Sequence, residues 1–272
     1  MMAEAPPGHA QSPPLVVGIV NCTPDSFYDG GRHAGTTAAI AHSQRLVSEG
    51  ADWLDIGGES TRPGAAAVDA EEEARRVLPV IEALAGSIPL SIDTTKPSVA
   101  AAALSAGATI LNDVRGLVDK ELAAVSADAW ATIVMHSRGT PKTMGTLANY
   151  EDVVAHVVHW LEAAAERSRS VHTWIDPGIG FAKNAAQSLA LLRRTDALVR
   201  TGWPVCIGAS RKSFIGKTLG IESAANRLPG SLAAVAAAYH GGARLFRVHD
   251  VAETRQHVDL LHAINHPPET TR

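Results

Sequence analysis

Cysteine is nearly absent: Cys22 and Cys206 are the only two in 272 residues. That excludes a disulfide framework and offers no metal-ligand spacing. Both sit in apolar segments and read as reduced, buried thiols. None of the twelve histidines pairs with another at a convincing zinc-site spacing. Aromatic residues make up only 4%, so the core must rest on Ala, Val, Ile and Leu. No sign of charge dominates, with 24 Lys and Arg against 28 Asp and Glu for a net of -4. Nothing global therefore points to nucleic acid or an anionic membrane as partner, and any bound anion must be held by local charge. No apolar run approaches the roughly 20 residues of a membrane span. Residues 1–14, with Pro6, Pro7, Pro13 and Pro14, lack the basic start and apolar stretch of a secretory signal. They are expected to form a flexible tail, and the cytoplasm is the default compartment.

What is present is a chain rich in aliphatic surface. Hydrophobic residues reach 46%, ordinary for a globular protein. The length fits one large domain or two small ones, with roughly three quarters of the unfolded surface buried. Val- and Ile-rich runs at 15–20, 53–56, 90–93, 109–112, 132–135, 173–176, 205–208 and 244–248 alternate with longer helical patterns. The runs lack strict polar–apolar alternation, as expected of parallel strands covered on both faces. Ala39, Ile40, Ser43, Leu46 and Val47 share one helical face, and Gly50 is placed to stop that helix. Asp69 and Glu72 resemble a capping box, with Glu71 to Glu73 at the positive end of the dipole. Ala74, Val77, Ile81 and Leu84 then supply the buried stripe. Pro97 suits a first helical turn and Gly107 a helix end. Further helices are expected over 150–167, 186–200, 225–239 and 251–263, with a short one near 120–128. Eight strand–helix pairs in strict alternation predict an α/β fold, a single (β/α)8 TIM barrel over 15–265 rather than a doubly wound sheet, with 266–272 as a C-terminal tail. Asn21, Asp93, Asn112, His136, Asp176, Lys212, Arg247 and His249 all lie at or just beyond strand C-terminal ends. In a parallel barrel those ends share one face, where active sites form.

The motifs at those ends are specific as an ordered set. Asn21-Cys22-Thr23-Pro24-Asp25-Ser26-Phe27 follows the first strand, and Gly57-Gly58-Glu59-Ser60-Thr61-Arg62-Pro63-Gly64 the second. Asp93-Thr94-Thr95-Lys96-Pro97 ends the third and Asn112-Asp113 the fourth. Met135-His136 leads to Gly139-Thr140-Pro141-Lys142-Thr143-Met144, and Asp176-Pro177-Gly178-Ile179-Gly180-Phe181 ends the sixth strand. Ser210-Arg211-Lys212-Ser213 and Arg247-Val248-His249-Asp250 close the series. From about 16 to 254 this resembles the bacterial dihydropteroate synthase family. The resemblance implies a cytoplasmic transferase joining 6-hydroxymethyl-7,8-dihydropterin diphosphate to 4-aminobenzoate, with sulfonamides as competing ligands, Mg2+ as cofactor and a homodimer through the last helices.

Residue by residue, the resemblance implies that Asp176 reads the guanidine-like pterin edge by paired charge-assisted hydrogen bonds. Asp93 and Asn112 would read other ring positions, with Met135 alongside. Lys212 would donate to ring acceptors, and the Arg247 guanidinium would stack on the ring. Asn21, Arg62, Arg247 and His249 would gather the diphosphate, with Asn21 the one direct protein ligand of Mg2+. Thr61, Pro63, Phe181, Lys212 and Ser213 would form the 4-aminobenzoate pocket, closed by Phe27. Asp93, Lys212, Arg247 and Arg62 are the expected catalytic residues. They suit a dissociative substitution in which the departing diphosphate is stabilised while Asp93 supports a transient pterin cation. Water must be kept from that cation, so the loops over 23–33 and 59–67 are expected to act as lids.

Some positions depart from the commoner family pattern. Cys22 stands where an aliphatic is usual, Ile179 for a frequent aromatic, Ala182 for Gly, Tyr28 for Ser and Arg138 for Gln. Ile179 and Ala182 bear on the amine pocket and on sulfonamide affinity. Three other readings compete. A pterin-binding methyltransferase domain would lack Thr61-Arg62-Pro63 and Arg247-Val248-His249. A silent pterin-binding paralogue is opposed by Asn21, Arg62 and Lys212. A phosphate-binding isomerase would carry a Gly-rich loop where Ser210-Arg211-Lys212-Ser213 stands.

Overall fold

The computed structural model describes residues 13–23, 32–62 and 64–267. Phe27, Tyr28, Pro63 and most of the expected 23–33 lid lie outside these residues. Eight parallel strands run β1 Leu15–Asn21, β2 Trp53–Gly57, β3 Leu90–Asp93, β4 Ile110–Asp113, β5 Ala131–Met135, β6 His172–Asp176, β7 Cys206–Ile207 and β8 Leu245–Val248. Their order is β6-β5-β4-β3-β2-β1-β8-β7, and a parallel bridge between Ile175 and Val205 closes the ring. The predicted strands are all present, and the fold is the expected (β/α)8 barrel.

The strands do alternate, but between two apolar environments rather than between oil and water. Val16, Leu54, Ile56, Leu90, Ile92, Leu111, Val134, Ile175, Ile207 and Phe246 belong to one buried cluster, shared with the surrounding helices. Their neighbours Val17, Trp53, Ile110, Ala131, Ile133, Trp174, Cys206 and Leu245 form a second cluster. That second file faces the barrel axis, because successive side chains on a strand point to opposite faces. Two residues further along the same inward files come Asp55, Asn112, Asp176, Gly208 and Arg247. The barrel interior therefore passes from apolar at the N-terminal end of the strands to charged at the C-terminal end.

The ring helices are α1 Arg32–Ser48, α2 Ala70–Leu84, α3 Pro97–Ser105, α4 Lys120–Val125, α5 Val153–Ala165, α6 Ala185–Arg193, α7 Thr195–Val199, α8 Ser213–Leu219, α9 Leu228–His240 and α10 Val251–Asn265. Asp69 caps α2 by accepting the Glu72 N–H at 2.8 Å, and Pro97 opens α3. The expected 150–167 helix begins only at Val153, where Asp152 accepts from the Val154 and Ala155 N–H groups. The expected 186–200 helix is two, broken at Arg194 with φ -110° and ψ 32°. The 225–239 stretch opens as a 3-10 turn, Ala224–Arg227, before α9. Helix α8 was not anticipated. Its seven residues are too few to show a period, and Gly220 ends it at φ 70°.

Candidate active site

The inner files bring the charged residues together at the C-terminal mouth. Arg247, on β8, is paired with two carboxylates at once: its Nε with Asp55 on β2, and its Nη2 with Asp93 Oδ2 on β3 at 2.7 Å. Asn112 on β4 donates its Nδ2 to the same Asp55 oxygen at 3.2 Å. Asp176 ends β6 and accepts the Gly178 N–H at 2.7 Å. Gly208 extends the inward file beyond Cys206. A methyl group there would lie 3.6 Å from Asp176 Oδ2 and 3.9 Å from Lys212 Nζ and Arg247 Cβ. Position 208 thus borders three charged groups, from the end of β6, the β7–α8 turn and β8.

Lys212 precedes α8 and reaches back across this space. Its Nζ donates to the Ile179 carbonyl at 2.7 Å and sits 4.6 Å from the centre of the Phe181 ring. The Asp176–Ala182 turn and the β7–α8 turn are thereby joined over the mouth. Burial pulls the Lys212 ammonium down to about 8, against the opposing attraction of Asp176. Burial likewise raises Asp176, opposed by Lys212 and the Gly178 N–H. Burial pushes Asp93 up to about 7; Arg247 works against the rise, and Asp55, Glu73 and Asp113 add to it. Burial works against the Arg247 cation, but Asp55 and Asp93 outweigh it and its pKa rises. Strongly perturbed groups clustered in a cleft mark a functional site.

A second group of donors borders the first. The Ser210 hydroxyl oxygen accepts the His249 N–H at 3.2 Å and lies 3.0 Å from His249 Nδ1. With the hydroxyl proton given to Nδ1, Nε2–H is left as a donor. Burial lowers His249 to about 4, aided by Arg247, Arg211 and Arg62. His249 is therefore a neutral hydrogen-bond donor near pH 7 rather than a cation. The exposed Arg62 is near enough to influence it. Asn21 ends the inner file of β1, level with Gly57, half-buried. Arg62 and Thr61 ride on the loop over 59–68, whose base is clipped by the Val68 N–H to Glu59 Oε1 bond at 3.2 Å. Lys96 pairs with both Glu59 and the buried Glu73, and the Gly64 N–H donates to the Pro141 carbonyl at 2.9 Å.

Of the residues expected from sequence, Asn21, Asp93, Asn112, Asp176, Lys212, Arg247 and His249 sit at this mouth, with Met135 buried at the end of β5. Thr61 and Arg62 lie on the adjoining loop, and Ser213 is the exposed first residue of α8. His136 is a correction. It follows the inward Met135 and so turns outward, fully buried against Trp160 of α5 with ring centres 4.9 Å apart. Two residues were missed. Asp55 lies mid-strand, where a search of strand ends does not look. Lys183 is 8% exposed, and its Nζ donates to the carbonyls of Gly178 at 3.1 Å and Phe181 at 3.0 Å and meets His136 Nδ1 at 2.8 Å. It pins the Gly178–Ala182 turn from behind. Gly178 has φ 64°, and a Cβ there would stand 2.0 Å from the His136 carbonyl oxygen, so glycine is required.

A parallel barrel whose strand C-terminal mouth gathers carboxylates, an amide, a lysine and a doubly paired arginine has the form of an enzyme active site. Comparison with known proteins makes this specific. The family model described as pterin binding enzyme matches residues 17–249. The dihydropteroate synthase of Synechocystis is 44% identical over 250 residues, 89% of this chain and 86% of the relative. The Xanthomonas albilineans dihydropteroate synthase solved with 4-aminobenzoic acid is 45% identical, with 95% of each chain covered and a TM-score of 0.87. The same enzyme in complex with 7,8-dihydropteroate gives 43% and 0.84, covering 95% of this chain and 96% of that one. A protein of Mycobacterium bovis described as inactive dihydropteroate synthase 2 is 41% identical over 273 residues, covering 94% of this chain and 85% of the relative. The chain belongs to the pterin-binding enzymes and, within them, to the dihydropteroate synthases, which are transferases.

Proposed function

We propose that this chain is a working dihydropteroate synthase, condensing 6-hydroxymethyl-7,8-dihydropterin diphosphate with 4-aminobenzoate to give 7,8-dihydropteroate and diphosphate. The observation that carries this is the convergence at the barrel mouth of Asp176, Lys212 and Arg247 beside Gly208, with Asp93 bound to Arg247 and Asn112 to the Asp55 that Arg247 shares. Asp176 and Asn112 hold the pterin edge, and the Arg247 guanidinium, fixed in plane by two carboxylates, lies against the ring. Arg62, Arg247 and the Nε2–H of His249 receive the diphosphate. The C–O bond breaks first, its electron pair leaving with the diphosphate, and Asp93 supports the positive charge left on the pterin methylene. The amine lone pair of 4-aminobenzoate then forms the C–N bond and the nitrogen releases a proton. Thr61, Pro63, Phe27, Phe181, Lys212 and Ser213 form the amine pocket, where sulfonamides compete. The loops over 23–33 and 59–67 exclude water during the charged interval.

Mg2+ fits this site as an ion carried in on the diphosphate. No three His, Cys, Asp or Glu side chains among the described residues gather into a ready cation site, whereas Asn21, half-buried at the C-terminal end of β1, carries a carboxamide oxygen at the same mouth. Asn21 would hold the ion, which when bound supplies charge to the leaving group. A cytoplasmic homodimer assembled through the last helices completes the reading; no helix among the described residues is long and apolar enough to cross a membrane. The similarity to the inactive Mycobacterium bovis relative favours one alternative, a barrel that binds pterin without turning it over.

Release of diphosphate by the purified protein, supplied with the pterin diphosphate, Mg2+ and 4-aminobenzoate, separates the two. Turnover is expected, with Asp176→Ala and Lys212→Ala each at least about 100-fold slower. Tight pterin binding without release would establish the silent alternative. Release that strictly requires the amine, even in a single turnover, would replace the dissociative step by a concerted one.

A further inference from the structure

Beneath the pterin readers lies a carboxylate that has no direct contact with substrate in the steps above. Asp55 is fully buried in the middle of β2, paired in register with Ser91, two residues before the inward Gly57. One of its oxygens, Oδ2, accepts from both Arg247 Nε and Asn112 Nδ2. The other, Oδ1, is buried without a hydrogen-bond partner among the described residues, as is the Ser91 hydroxyl beside it on β3. A barrel interior seeking only stability would fill this position with an apolar side chain, since a buried ion pair seldom outperforms hydrophobic packing. We propose that Asp55 is a positioning residue for the pterin. It holds Arg247 and Asn112 in their working geometry from below, and by occupying half of Arg247 it sets how strongly that arginine can stabilise the charge on Asp93.

Three features argue for this over an ordinary structural ion pair. First, both partners of Oδ2 belong to the pterin site, so one atom aligns two recognition groups from two different strands. Second, Arg247 is divided: Nε goes to Asp55 and Nη2 to Asp93. Third, the surroundings of Asp93 leave few other charges to explain its state. It faces Arg247 from β8, Asp55 from β2, Glu73 from α2 and Asp113 from β4, with Lys212 acting from the β7–α8 turn. Three of these five are acids, and Asp55 is the acid that shares Asp93's own counter-ion. Asp55 itself meets Arg247 and Asn112, and its charge is also felt at the Cys206 thiol on β7. Neutralising Asp55 would free Arg247 for Asp93 and remove a repelling charge, so Asp93 would stay ionised to lower pH.

The proposal rests on the synthase reading, and its test keeps the two apart. Asp55→Asn preserves shape and removes charge. Its pterin diphosphate KM should rise roughly tenfold or more, the loss expected when hydrogen bonds to a charged group go. The KM for 4-aminobenzoate should stay within about twofold, and the acidic limb of kcat/KM for the pterin should move down by about one pH unit. Asp55→Ser, smaller and equally uncharged, should shift the limb the same way. An unmoved limb with unchanged pterin KM would overturn the proposal. So would an equal rise of both KM values, or failure of both variants to accumulate as folded protein, since each marks Asp55 as purely structural. Should the unaltered enzyme itself release no diphosphate, calorimetric binding of 6-hydroxymethyl-7,8-dihydropterin diphosphate still decides the matter. Asp55→Asn must then weaken it by a similar factor.

Discussion

Lys212 is asked to be charged in a place that disfavours charge. Its Nζ touches the Ile179 carbonyl, lies near the Phe181 ring and is attracted by Asp176, yet burial brings it down to about 8. Above that value it is neutral, and in the proposed binding mode neither the pterin acceptors nor Asp176 then meets a cation. Asp93, at about 7, sets the opposite edge, because its protonated form cannot support a pterin cation. The profile of kcat/KM for the pterin diphosphate, which reports the free enzyme, should therefore be a narrow bell with limbs near 7 and near 8. Arginine does not lose its proton in this range. Lys212→Arg should erase the basic limb below pH 10 while lowering the maximum, because the planar fork cannot reproduce the Ile179 contact. A basic limb that persists near 8 in that variant would assign it to another group.

At the scale of elements, the turn after β6 is where positioning is concentrated. Lys183 bonds the Gly178 and Phe181 carbonyls from behind, while Lys212 bonds the Ile179 carbonyl between them from the front. Lys183→Met keeps the bulk and removes every donor. It should raise the 4-aminobenzoate KM roughly tenfold, as loss of donors holding a loop implies, with a smaller change for the pterin. Steady-state kinetics with each substrate varied in turn would show an equal effect on both if Lys183 served the whole barrel. This turn also shows what the sequence could and could not tell. Strand ends were legible because Val and Ile runs stop at Asn21, Asp93, Asn112 and Asp176, and all eight strands were placed. Which face each polar residue took was not read, because both faces of a barrel strand are apolar and no polarity pattern marks them. Counting by twos from Trp53 would have found Asp55. Counting from Ile133 and Met135 would have turned His136 outward. Helix α8, at seven residues, is too short to show a period, and no Gly or Pro marks the break at Arg194.

For the whole molecule, the groups that make the site also shape stability against pH. His136 is wholly buried between the β6 turn and α5. Burial, reinforced by Lys183, His156 and Arg138, lowers it to about 2 from an ordinary value of 6.5. Between those values the unfolded chain binds a proton that the folded chain refuses, so stability is complete above pH 6.5 and is lost as pH falls toward 2. The limiting slope for one such group is about 1.4 kcal/mol per pH unit. His249, lowered to about 4, adds to the loss. Asp93, raised to about 7 from 3.8, opposes it, since there the folded chain binds the extra proton and gains stability as pH falls from 7 toward 3.8. The wild-type slope is thus a difference of opposing contributions, and only a variant isolates one of them. His136→Gln can still accept from Lys183 but cannot titrate. Urea unfolding at intervals from pH 7 to pH 5 should give a variant whose stability, whatever its absolute value, falls less steeply than that of the wild type below pH 6.5. Parallel slopes would mean that His136 takes up its proton in the folded barrel, which requires Lys183, its partner at 2.8 Å, to be neutral there.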